Sequence, residues 1–282
     1  MTIPEGLPDG VWVDGRVAAE VSPLDRGLHY GDGLFETIGC VAGRPRFLDL
    51  HLKRLASGCA RLAIPAPEPG ALAQEISRAA AQRGGAILKL IVTRGPAHAR
   101  GYGVSGAQQG TRILLRYPPG PAAAGEGVRV RLGELRLGEN PALAGVKHLN
   151  RLEQILARLE WSDPDIAEAL LFSSSGALVS GCMSNVFLVH GGRLSTPRLD
   201  RCGVAGVMRE VVGRLAVRHG IEFEQLPLDR ERLNAAEEIF LTNALTGIRP
   251  VRELEGRAVS PGPVTRQLQQ ALAPLFLGKE TL

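Results

Sequence analysis

The 282 residues suffice for a sizeable core, in one large domain or two modest ones. A hydrophobic fraction of 44% with 22% charged residues excludes disorder, and 4% aromatics leave little material for stacking on bases. The net charge of +4 comes from 33 basic and 29 acidic side chains, which are scattered and interleaved. Nucleic acid is therefore a poor partner and a small anionic substrate a better one. Cys40, Cys59, Cys182 and Cys202 show no Cys-x-x-Cys spacing, so no metal site is expected. "MTIPEGLPDG" is no signal peptide, and no apolar run is long enough to span a bilayer. The expectation is a soluble cytoplasmic protein with reduced thiols.

"VWVDGRVA" (11–18) alternates around Asp14-Gly15, a hairpin signal. Residues 31–52 hold a strand, a turn at Gly43 and a second strand. Apolar residues at helical spacing predict a helix over 48–64, with Pro65 past its end, and another over 69–84 that stops at Gly84-Gly85. Strands follow at 86–95 and 111–117, flanking a Gly-rich loop. "PPGPAAAGEG" (118–127) reads as an interdomain linker between a smaller domain (1–117) and a larger one (128–282) that carries the lysine discussed below. Beyond it come a strand in "GVRVRLGEL", a helix in "NRLEQILARLEW" and a run of strands over 166–197. A helix in "GVMREVVGRLAVRHG" and a strand followed by a loop in "AEEIFLTNALTGIRPV" complete the pattern. The mixture implies a two-domain α/β or α+β architecture.

Four places carry chemistry. The first is Lys147. A lysine is ordinarily a solvated charge, but Ala144, Gly145 and Val146 read as the end of a buried strand. Desolvation there lowers a lysine pKa and frees a neutral amine for Schiff-base chemistry. Second, Gly203-Val-Ala-Gly206 opens onto a helix, whose unpaired amides and dipole suit a phosphate; a plain helix start is the alternative. Third, Thr242-Asn243-Ala244 ends a strand in a polar loop. Fourth, "VTRGPAHARGYG" (92–103) offers Arg94, Arg100 and Tyr102 to a carboxylate, or is an exposed mobile loop. Asp32 between two glycines marks a tight turn and matches no nucleotide motif. A desolvated lysine, two phosphate places and a basic loop together are what a pyridoxal-phosphate enzyme needs.

"DRGLHYGDGLFET", "HLKRL", "GVKHLNRLEQ", "SNVFLV", "TPRLDRCGVAGVMR" and "TNALTGIRPV" occur in the order and spacing of one family. The chain resembles the fold-type IV pyridoxal-phosphate enzymes, a class IV aminotransferase-like group with the two-domain fold of D-amino-acid aminotransferase. The group includes branched-chain and D-amino-acid aminotransferases and 4-amino-4-deoxychorismate lyase. "KHLNRLEQ" and "RLGENPALAG" resemble the lyase branch most. That branch splits 4-amino-4-deoxychorismate into 4-aminobenzoate and pyruvate in folate synthesis. The resemblance implies that Lys147 carries pyridoxal 5'-phosphate, and that Arg54, Val204, Ala205, Asn243 and Ala244 contact the cofactor phosphate. It places Tyr30, Arg94 and Arg100 about the substrate. In the mechanism this suggests, the proton for the leaving enolpyruvate comes from Lys147 again or from Thr37. It also implies a homodimer.

One position departs. The family has a glutamate five residues before the Asn of "SNVF", where it pairs with the pyridine nitrogen; here that position is Ser180. Serine supplies only a neutral hydrogen bond, so the ring is a weaker electron sink. A lyase that makes an aromatic product tolerates this better than an aminotransferase. The rivals are an aminotransferase of the same fold, a catalytically weakened binding protein motivated by Ser180, and a nucleic-acid module motivated by a pI near 9.1.

Overall fold

The computed structural model describes residues 6–82, 85–104, 109–120 and 127–280. Two compact units form, Met1–Pro121 with Lys147–Asn150, and Ala122–Val146 with Arg151–Leu282. Most of the expected linker, residues 121–126, lies outside the described residues, as does Gly84 of the expected helix stop.

The first unit begins with β1 (Gly10–Val13) and β2 (Arg16–Val17), joined by Asp14 and Gly15 at φ 50° and 79°. Two successive positive φ values match the strand twist in a two-residue hairpin, which is why Asp-Gly stands there. Next come α1 (Arg26–Tyr30), β3 (Gly33–Val41), β4 (Arg44–Pro45), α2 (Leu48–Leu62), α3 (Pro69–Ala80), β5 (Ala86–Thr93) and β6 (Arg112–Tyr117). The strands form an antiparallel sheet in the order β2-β1-β6-β5-β3-β4. Alternation along β3 and β5 buries Leu34, Glu36, Ile38, Leu88 and Leu90 on the face that α2 and α3 cover. Gly58 lets α2 lie on β3, since a Cβ there would fall 2.9 Å from Leu34 Cδ1. Phe35, Thr37, Lys89 and Ile91 point to the other, half-buried face.

Residues 147–150 group with this first unit, although the chain reaches them after residues of the second. The reason is backbone pairing along β3. Phe35 N donates to Lys147 O (3.1 Å), Leu149 N donates to Gly33 O (3.0 Å), and Leu34 and His148 form an antiparallel bridge. Asn150 Nδ2 adds a bond to Gly31 O at 3.2 Å.

The second unit contains β7 (Val128–Leu137), α4 (Leu152–Arg158), β8 (Ile166–Ser173), β9 (Leu178–Gly181), β10 (Asn185–His190), β11 (Arg193–Pro197) and α5 (Val207–Arg218). It continues with β12 (Phe223–Leu226), α6 (Arg230–Ala235), β13 (Glu238–Asn243), β14 (Gly247–Leu254), β15 (Arg257–Ala258) and α7 (Pro263–Phe276). Its mixed sheet runs β12-β11-β10-β13-β14-β7-β8-β9, with β15 on β14. The loop expected after residue 243 is in fact a tight turn into β14, which pairs antiparallel with β13. Val186, Leu188, Ile239 and Leu241 join Val130, Leu170 and Leu233 in one core. Their alternate neighbours Phe187 and Phe240 stack with centroids 4.8 Å apart. No described helix is long and apolar enough to cross a membrane.

Glu238 is buried at the start of β13, and its carboxylate accepts from Val264 N (3.1 Å) and Thr265 N (2.8 Å). It thereby caps α7, whose own cap, Gly262, has no room for a Cβ beside Glu238. Glu238→Ala strands two buried amides and is expected to cost about 1–3 kcal/mol in urea unfolding. An unchanged midpoint would contradict this capping role.

Candidate active site

Lys147 lies at the half-buried face of the first sheet, with Nζ 4.1 Å from the Phe35 ring centroid. Thr37 follows Phe35 on the same face and pairs across the strands with Lys89. Lys89 Nζ stands 5.8 Å from the same ring. Both lysine side chains thus reach the Phe35 ring, and Thr37 is on the same face of the strand. The approach to Lys147 is not a strand, as 144–146 suggested. It is a turn, in which Val146 N donates to Leu143 O (3.1 Å), and Lys147 is half-buried rather than enclosed. Sequence reading passed over Lys89; the signal was a lysine in phase with Ile87 and Ile91 in "AILKLIVT".

The covered face of β3 holds a buried ion cluster. Arg54 Nε donates to Glu36 Oε1 at 2.8 Å, and Arg54 Nη2 to Oε2. His51 Nδ1 donates to Glu36 Oε2 at 2.6 Å, while His51 Nε2 is buried without a partner. Burial opposes charge on Glu36, but Arg54 and His51 outweigh it and hold the carboxyl down to about 2. Burial pushes the His51 pKa down against the pull of Glu36, with Arg54 and Lys147 adding to the push. Arg54, the expected phosphate arginine, is therefore held from behind by a carboxylate.

A carboxylate whose folded pKa is depressed contributes stability above its unfolded pKa, and that contribution disappears as pH falls through the folded value. With Glu36 moved from 4.5 to about 2, Glu36→Gln should lose on the order of 3 kcal/mol at pH 7. The gap to wild type should narrow between pH 4.5 and about 2. Denaturant melts across that range decide it, and a gap independent of pH would refute the ion-pair account.

Arg94 does grip a carboxylate, but the protein's own. Its Nε and Nη2 donate to Asp32 at 2.7 and 3.0 Å, and Nη1 and Nη2 to Ala63 O and Leu62 O at 2.6 and 2.7 Å. Burial raises the Asp32 pKa, but Arg94 and Arg26 more than offset it and keep the group ionised. Tyr30 meets Tyr102 edge-on at 5.3 Å. Arg100 and Tyr102 are exposed.

In the second unit, Gly145 N donates to Gly203 O (2.9 Å) and Ala205 N to Gly145 O (3.0 Å). The Ala205 amide, expected on a phosphate, is thus already engaged. Helix α5 begins just beyond, with Gly206 as an N-cap that makes no side-chain cap bond. Its first-turn amides have no partner within the helix. Asn185 Nδ2 donates to Val204 O at 2.9 Å, and a Cβ on Gly206 would fall 2.1 Å from Asn185 Oδ1. Asn185 pairs in register with Thr242, whose Oγ1 is buried without a partner. Asn243 Oδ1 accepts from Leu245 N, Thr246 N and Thr246 Oγ1 at 2.9–3.0 Å. Its side chain therefore shapes the loop that holds Ala244.

Ser180 is buried in β9. The turn after it is organised by Glu168, which accepts from Met183 N (3.1 Å) and Ser184 Oγ (2.8 Å). Burial raises the Glu168 pKa against those bonds. Gly181 is required beside it, since a Cβ would lie 2.2 Å from Glu168 Oε2. Asn185 and Glu168 were legible only as parts of a motif and a strand; their contacts were not.

Residues 33–254 match the family model described as amino-transferase class IV. The chain belongs to the class IV aminotransferase family. It is 32% identical over 265 residues to the aminodeoxychorismate lyase of Vibrio harveyi, covering 92% of this chain and 97% of that protein. It is also 32% identical over 270 residues to a putative branched-chain-amino-acid aminotransferase of Methanocaldococcus jannaschii, covering 93% of each. Its fold is similar to the crystal structure of 4-amino-4-deoxychorismate lyase from Pseudomonas aeruginosa. The TM-score is 0.89 and the identity 47%, over 93% of this chain and 97% of that one.

Proposed function

We propose that the protein is a pyridoxal-phosphate-dependent lyase that converts 4-amino-4-deoxychorismate to 4-aminobenzoate and pyruvate. The observation that carries this reading is the 47% identity, over nearly the whole chain, to the Pseudomonas aeruginosa lyase. An aminotransferase reading draws on the Methanocaldococcus jannaschii relative. Ser180 weighs against it, because amino transfer relies more on the electron sink that the family glutamate sustains.

Each unit, taken by itself, holds residues of the kinds that the cofactor needs. The second unit offers a helix start without a side-chain cap and a buried Thr242 hydroxyl without a partner, both suited to phosphate oxygens. In the first unit, Arg54 supplies a cation and Lys147 an amine. Val204, Asn243 and Ala244 belong to the phosphate-binding backbone, with Ala205 bracing it. When bound, pyridoxal phosphate would supply an imine-forming carbonyl and a ring that accepts the electrons of a cleaved C–H bond. Lys147 would hold the cofactor through its side-chain amine, and the same amine is the base that would take the proton from the amine-bearing carbon of the substrate. Thr37, on the Phe35 face with Lys147, returns a proton to the departing enolpyruvate oxygen. Lys89 and Arg100 meet the substrate carboxylates, Tyr30 lines the pocket, and Arg94 supports it through Asp32. Ser180 leaves the ring a weak sink, which aromatisation of the product offsets.

Lys147→Ala should abolish the visible absorbance of the bound cofactor and lower turnover by about 10³-fold or more. Undiminished turnover would end this reading. Ser180→Glu measures how far the serine limits the lyase.

We also propose a cytoplasmic homodimer. Leu152, Ile155, Leu156 and Leu159 on α4 are 72%, 54%, 55% and 74% exposed at helical spacing, while Ala157 is fully buried. An apolar stripe turned outward fits a second copy of the chain. Ile155→Asp combined with Leu159→Asp should give a monomer in analytical ultracentrifugation. An unchanged oligomer would place the interface elsewhere.

A further inference from the structure

Residues 98–104 are exposed, so burial does not hold this segment. Yet three of its carbonyls converge on one buried side chain. Arg26 is only 4% exposed. Its Nη1 donates to Gly101 O at 3.2 Å and to Gly103 O at 3.3 Å, and its Nη2 to Tyr102 O at 3.2 Å. Nε is taken by Asp32 Oδ2 at 2.8 Å, and the guanidinium lies 5.0 Å from the Tyr30 ring centroid. We propose that Arg26 is a positioning residue that straps residues 101–103 to the first unit and thereby sets Arg100 for the substrate.

The strap is rigid at its root. Arg26 opens α1, which Asp25 caps by accepting from Gly27 N at 2.7 Å. The other oxygen of Asp25 accepts from Thr93 Oγ1 (2.9 Å) and Thr111 Oγ1 (2.6 Å), and Arg26 N donates to Gly95 O (3.0 Å). Asp25 is 1% exposed, so this anchor is buried. At the far end, Gly101 adopts φ 95°, a conformation that side chains disfavour. A planar fork with five donors can satisfy three successive carbonyls and a carboxylate together; an ammonium cannot.

Arg100 immediately precedes the clamped residues, so its backbone is ordered on folding rather than on substrate binding. Such pre-ordering removes an entropic cost from recognition. The part played by Arg100 rests on the lyase reading proposed above. The strap itself stands on the geometry alone.

Two readouts separate these. In the first, wild-type holoenzyme and Arg26→Gln are digested with trypsin and cleavage after Arg100 is followed by mass spectrometry. Arg26→Gln should be cut there about tenfold faster, with cofactor absorbance retained and other sites unchanged. In the second, KM for 4-amino-4-deoxychorismate should rise about tenfold with kcat within about threefold, and Arg26→Lys should fall between. Equal cleavage rates would overturn the strap. Faster cleavage with an unchanged KM would overturn its role in substrate positioning. A wild type inactive on this substrate would fail the lyase reading and leave the cleavage result to decide the strap. If Arg26→Gln fails to fold, Gly101→Ala decides instead. It misdirects the carbonyl in open space and should speed the same cleavage; a rate equal to wild type would overturn the proposal.

Discussion

Lys147 has no secondary structure of its own. Backbone bonds to β3 hold it in place, from Phe35 N to Lys147 O and from Leu149 N to Gly33 O. Several groups of the first unit are arranged along that same strand. With the lysine backbone pinned to the edge of β3, alternation places Phe35 beneath the amine and Thr37 two residues further along the same face. The opposite face of the same strand carries Glu36, which holds Arg54. One nine-residue strand therefore orders the amine, the hydroxyl and the phosphate arginine of the proposed chemistry.

A second pattern runs through both units. Polar groups that the family resemblance marks as functional are largely engaged in shaping backbone. Arg94 is committed to Asp32 and two carbonyls, Asn243 to its own turn, and the Ala205 amide to Gly145. Residues without an assigned role do similar work: Glu168 on the turn after Ser180, Asn185 on Val204, Glu238 on α7. Buried polar groups that are fully bonded rigidify a site, since leaving any one unpaired is costly. Among the buried side-chain atoms without a hydrogen-bond partner are His51 Nε2 and Thr242 Oγ1. Thr242 lies one residue from the second proposed phosphate loop.

Much of this was legible in the sequence, because the relevant signals are local. Asp14-Gly15 dictates its hairpin, and alternation in "AILKLIVT" and amphipathic spacing in 48–62 dictate their elements. Motif order revealed the family. What was not legible depends on long-range pairing. Small residues before Lys147 read equally well as a strand end or a turn, and only the bonds to residues 203–205 choose the turn. The bonds to β3 moved residues 147–150 into the first unit, and no sequence period marks such a crossing. The segment from Leu152 read as an ordinary amphipathic helix, but periodicity does not say whether the apolar face is covered. In α4 it faces outward.

In the proposed function Ser180 is the residue that bears most on the chemistry. A neutral hydroxyl in place of a carboxylate would weaken the electron sink, and the proposal has an aromatic product supply driving force of its own. The most direct test is to incubate the purified holoenzyme with 4-amino-4-deoxychorismate and quantify 4-aminobenzoate and pyruvate. The account predicts both in equal amounts, without any amino-group acceptor. No release of either product, together with amino transfer from an amino acid to 2-oxoglutarate, would contradict it.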